Sequence, residues 1–197
     1  MDEKRRDIVD TIAKLLFGIF GSLIIGYLFF QQKIFNLNSS QFMYTALGIY
    51  GAIFFSLAIK LDLKKQILIL ISVILFNIIL VGKLYHLLSL IRDFVMIVVV
   101  FLSIKAYVLF ILKNKNIPPF LRAFGLAAIY AVFNACGIFI LFLLSIIIEG
   151  NKISYLSNLI LINSEMAGLV GLGLGLGFDS WELIKSKFLN EKLAEPV

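Results

Sequence analysis

Between Ser157 and Phe178 the chain is apolar enough to cross a bilayer, yet it carries Glu165 and glycines at 168, 171, 173, 175 and 177. In water a helix with so many glycines would be poor, because each costs about 1 kcal/mol relative to alanine. In lipid no solvent is at hand to satisfy a bare amide or carbonyl, so the segment must bond to itself and helix is the default. Ser164, Gly168, Gly171 and Gly175 then share one narrow face, the small-residue pattern that lets a second helix approach closely. This stretch confines the chain to a membrane-embedded helical design.

Composition agrees. Hydrophobic residues make up 61% and charged residues 15%, against roughly 45–50% and 25% for soluble domains. The 197 residues leave room for about six crossings of about 20 residues each. The expected fold is all-α: a polytopic membrane protein forming one domain, a six-transmembrane-helix bundle with a short amphipathic helix at its C-terminus. The crossings are read at about 15–30, 42–59, 66–81, 94–112, 121–148 and 157–178, and the tail helix at 180–193. Gln31–Ser40 reads as a polar loop in which Asn38 caps the second helix, and Gly82–Asp93 as an interfacial segment. Pro118 and Pro119 stop the fourth crossing, since proline lacks an amide donor and disfavours helix before it. In the tail, Asp179 followed by Glu182 is an N-cap signature, with Trp181 expected to anchor at the interface. A cleaved leader is not expected, because acids sit among the first bases and no small-residue cleavage site follows the apolar run.

The net charge of +6 raises the question of nucleic acid, and its distribution answers it. With the N-terminus inside, thirteen lysines and arginines fall on the cytoplasmic side and only Lys33, Lys83, Arg92 and Lys152 on the other. That is the positive-inside bias, and it predicts both ends in the cytoplasm. The positive charge is thereby absorbed as topology, and no nucleic-acid partner is expected. The expected surroundings are a lipid bilayer, in a cell membrane that the isoleucine-, phenylalanine- and lysine-rich vocabulary assigns to an AT-rich prokaryote, with room for a membrane-protein partner or a homo-oligomer.

Four polar residues fall inside the apolar segments. Glu165 lies about eight residues into the last crossing, roughly 12 Å deep by helical rise, where an ionisable group is by default a functional-site hypothesis. Its other reading is a protonated or structurally hydrogen-bonded acid. Lys105 lies roughly 16 Å deep from the same side, close enough for two long side chains to meet, and is expected as the partner of Glu165. Snorkelling toward cytoplasmic water competes with that pairing. Asn77 and Asn134 are expected either to bond between helices, at about 1 kcal/mol each, or to line a polar pocket with the other two. Gly18, Ser22 and Gly26 give the first crossing a second close-packing face at four-residue spacing.

The exclusions are firmer. Cys136 is the one cysteine and His86 the one histidine, so an intrachain disulfide, a zinc site, bis-histidine haem ligation and a nucleophilic triad are all out of reach. No metal, no cofactor and no catalytic residue is expected. The Gly-Leu alternation at 171–177 fits neither the dinucleotide fingerprint nor the phosphate loop. Gly175–Asp179 has one residue too many for the Gly-x-Gly-Asp of intramembrane aspartyl proteases. In length, helix number and small-residue first helix the chain resembles the substrate-binding subunits of energy-coupling-factor vitamin transporters, in outline alone, with no residue carried over. Three functions are therefore expected to compete: a transport or permeation component with a midplane site at Glu165, Lys105, Asn134 and Asn77; a non-catalytic accessory or assembly subunit using its glycine-rich faces; and a lipid-acting membrane enzyme, which has few groups to work with.

Overall fold

Every element is a helix, among the residues that the computed structural model describes: 3–30, 39–81, 87–114, 116–149 and 156–194, with side chains placed for 5–28, 46–79, 91–114, 116–147 and 160–187. The helices are α1 (Glu3–Phe30), α2 (Ser39–Ile53), α3 (Leu63–Val81), α4 (Leu87–Tyr107), α5 (Pro119–Glu149) and α6 (Leu156–Ala194). A π-helical turn, Phe54–Ala58, prolongs α2, and another, Val108–Leu112, prolongs α4. Four segments are long and apolar enough to cross a membrane, Arg5–Leu28, Ile91–Leu112, Pro119–Ile147 and Ile160–Lys187. The two shortest helices are α2 and α3, at 15 and 19 residues. The expected cap at Asn38, the loop around it and His86 lie outside the described residues.

Local chemistry explains the boundaries. Asp62 starts α3 by accepting the backbone N–H of Lys65 at 2.9 Å, a helix cap that holds its exposed carboxyl below the usual aspartate range. Pro119 opens α5 at the first helical position, where a missing amide leaves nothing unpaired. Residues 8–12 belong to the first turns of α1, which continues without a break into the apolar stretch.

Contacts across the seams fix the helix directions. Gly175 faces Ala123 while Gly171 faces Leu126 and Tyr130, so α5 and α6 run antiparallel. Gly21 faces Gly173 and Asp10 meets Lys185, so α1 and α6 are antiparallel as well. Gly137 against Val99 and Gly125 against Ile111 make α4 and α5 antiparallel. Gly48 beside Val170 and Gly51 beside Leu174 align α2 with α6. The start of α1 and the far part of α6 therefore share one end of the bundle, together with Lys14 and Lys60; we refer to it as the lysine-rich end.

Helix α6 is the inner plank. Two residues advance a helix by about 200°, so glycines at every second position serve opposite faces. Gly171 and Gly175 lie against α5, whereas Gly173 and Gly177 lie against Gly21, Ser22, Phe17 and Gly18 of α1. A methyl at Gly175 would fall 2.6 Å from Ala123 Cα, and one at Gly173 2.6 Å from Ser22 Cα, so both seams are backbone-close. The close-packing face at 168, 171 and 175 meets α5; the opposite face toward α1, and Gly21 on α1, are further small-residue contacts. Leu174, Tyr130, Leu126, Tyr107, Phe54 and Ile97 fill the core between these seams.

The expected tail helix at 180–193 is corrected: α6 runs unbroken from Leu156 to Ala194. Asp179 does not cap anything, and the next residue, Ser180, donates to Leu176 O at 2.7 Å in mid-helix fashion. The physical reason lies on α1. Trp181 Nε1 and Lys185 Nζ both donate to Asp10 Oδ1, at 2.9 and 2.8 Å, and Glu182 pairs with Lys14 at 2.8 Å. These contacts keep the tail running along α1.

Candidate functional site

The structure does not bring Glu165 and Lys105 together, and the expected pair is corrected. Lys105 Nζ donates to Gln66 Oε1 at 2.7 Å, across the α3–α4 seam. Gln66 is buried and returns its own amide to Leu61 O at 2.7 Å, so the lysine reaches toward the lysine-rich end and is satisfied there. Glu165 is exposed on the outer surface of α6, with no hydrogen bond or ion pair among the described residues. The reason is the packing order. Over this stretch α5 lies between the two helices, with Val99 of α4 against its Gly137 and Gly168 of α6 against its Ala127 and Ala131.

The two asparagines also part company. Asn134 is 1% exposed and donates through Nδ2 to Asn163 O at 2.8 Å, bonding α5 to α6. Its Oδ1 is sealed from solvent without a partner, as is the Tyr130 hydroxyl one turn earlier. Asn77 belongs to another group: Tyr50 donates its hydroxyl to Asn77 Oδ1 at 2.6 Å, and Asn77 Nδ2 donates to Asp93 Oδ2 at 3.5 Å. Arg92 Nε adds a 3.3 Å contact to Asp93 Oδ1. Asn77–Asp93 and Gln66–Lys105 thus pin the two ends of one antiparallel α3–α4 seam.

Of the small residues assigned to packing, Gly168, Gly171 and Gly175 face α5, and Ser164 donates to Ile160 O at 2.6 Å within α6. Gly18 lies against Phe178 and Ala52, Ser22 is buried beside Gly48, and Gly26 is half-buried.

The densest charged group was not foreseen. Asp10, 5% exposed, receives Lys14 at 3.2 Å, Lys60 at 3.5 Å and Lys185 at 2.8 Å besides the Trp181 indole. It ties α1, the turn after α2 and α6 into one knot. A signal existed in the sequence: Asp10 precedes Lys14 by four residues at the start of a crossing, where an acid needs cations nearby. Asp179, read as a cap, is the second residue missed; its Oδ2 is buried without a partner. No group of three or more metal-ligating side chains occurs among the described residues. The polar chemistry is therefore dispersed in pairs and one knot. Glu165 stands apart from all of them.

No protein-family model matches the chain, and no curated protein or solved structure matches it either. The outline likeness to vitamin-transporter subunits gains no support from these comparisons.

Proposed function

We propose that the protein is a non-catalytic accessory or assembly subunit of a membrane complex, threaded six times through the bilayer with both ends in the cytoplasm. One observation carries this reading: Glu165 sits unpaired on the outer face of an apolar helix. Leu161 and Ile162, 69% and 56% exposed, flank it one turn earlier on the same face. A carboxyl on a lipid-facing surface is costly, and a partner helix bringing a cation or hydrogen-bond donor removes that cost. In a second copy Lys105 is engaged with Gln66, which favours a different protein as the partner. The six-helix alternation and the gathering of Lys14, Lys60 and Lys185 at one end support the topology.

The test is a photo-crosslinking residue at Ile162 in native membranes. The expected result is a protein adduct of discrete mass that is lost in Glu165→Leu and weakened in Glu165→Gln. Adducts that are indifferent to Glu165, or to lipid alone, overturn the reading.

A second reading, passage of a small polar solute along the α3–α4 seam, is favoured by the polar contacts at both of its ends. It requires flux in reconstituted vesicles that falls in both Lys105→Gln and Asp93→Asn. Vesicles without flux, or flux unchanged in either variant, remove it.

A further inference from the structure

We infer that the Asp179 carboxyl, set where α4, α5 and α6 meet at the lysine-rich end, is a proton-binding site. Its Oδ2 is buried and receives no hydrogen bond. A carboxylate oxygen closed off from water calls for donors, and without them the neutral acid is far cheaper to bury than the anion. Phe178, the preceding residue, stacks on Phe55 with ring centroids 3.9 Å apart, and Phe55 lies 6.1 Å from the ring of Tyr107. All three rings are buried, and the π-helical turns at Phe54–Ala58 and Val108–Leu112 frame them. Such widened turns occur often at functional positions.

Asp10 supplies the contrast at the same end of the bundle. It is 5% exposed, yet it holds three lysines and an indole N–H. The chain thus provides donors for one acid and withholds them from another only two residues from Trp181. The charges facing Asp179 can be named from each neighbouring helix. From α5 comes Arg122, within electrostatic reach but with its Nε committed to Ile117 O at 2.8 Å and no ion pair formed with Asp179. From α4 comes the Tyr107 phenol, and from α6 itself Glu182, which binds Lys14 of α1. Lys60, after α2, is taken by Asp7 and Asp10. Asp179 is partly exposed as a residue. Uptake of one proton adds one positive charge to the lysine-rich end.

Trp181, the one tryptophan in the chain, lies two residues away and reports the event. In the full chain, in lipid nanodiscs, Trp181 emission and the carboxyl carbon signal of labelled aspartate are followed against pH. The expected result is a shared transition at least one pH unit above the ordinary aspartate value of about 3.9. It is absent in Asp179→Asn and displaced upward in Arg122→Gln, which removes the facing cation. A transition that survives Asp179→Asn, or that Arg122→Gln leaves in place, overturns the assignment. If either variant fails to fold, the carboxyl signal of the unaltered chain decides: titration at or below the ordinary value rejects the site.

Discussion

A single methyl group distinguishes the glycines that matter from those that do not. In Gly175→Ala the new carbon lands 2.6 Å from backbone Cα of Ala123, which cannot rotate away, so the α5–α6 seam must part. Overpacking of this kind costs about 1–3 kcal/mol. In Gly168→Ala the nearest atoms, Ala127 O and Ala131 Cβ, are both at 3.5 Å, an ordinary contact. That variant should keep its stability, or gain up to about 1 kcal/mol from helix propensity. Thermal unfolding of both variants in mixed lipid–detergent micelles checks the pair, and equal losses would contradict the seam geometry. Asp10→Ala should loosen the lysine-rich end by about 1–3 kcal/mol, because a buried acceptor is lost while its lysines regain water. The direct readout is a red shift of Trp181 emission as the indole loses its acceptor. One small-residue face of α6 was legible in the sequence, since spacing alone places Gly171 and Gly175 together. The direction of Glu165 was not. In a soluble helix the polar side marks the outside, but in lipid the inner and outer faces are both apolar, and the pattern around Leu161, Ile162 and Glu165 carries no such label.

The last helix gives the sharpest test among the elements. If Asp179 capped a new helix, Ser180 would stand at its first position, where proline is welcome. In an uninterrupted α6, Ser180→Pro deletes a mid-helix hydrogen bond and clashes with the turn before it, at about 3 kcal/mol or more. A marked loss of stability and of helical circular dichroism is expected, and a neutral variant would restore the break at Asp179. The misreading has a physical cause. The residues that make a good cap, an acid followed three positions later by another acid, are here spent on different tasks. Glu182 pairs with Lys14 across the seam to α1, and Asp179 has one carboxylate oxygen buried in the bundle. Local sequence shows which residues can cap, whereas the lysine that recruits Glu182 lies more than 160 positions away.

At the scale of the whole molecule, the alternation of helix direction was readable from the apolar segments and the turns between them. The order of packing was not, because it depends on which glycine faces meet. The topology itself is open to a direct check. With Cys136→Ser as background, cysteines placed at Lys64 and Lys113 should react with an impermeant thiol reagent from the same side of the membrane as a tag on either terminus. Labelling from opposite sides would reject the six-crossing arrangement.

The position of α6 between α1 and α5 also bears on how the protein is made. The helix that joins the first and fifth is synthesised after both of them. Until it arrives, the glycine notches of α1 have no occupant and α5 has bare alanines where backbone should lie. Helix α6 therefore enters as a wedge between helices made before it. A polypeptide halted ahead of Leu156 should be recognised as unfinished and degraded, however many of its earlier helices are in place.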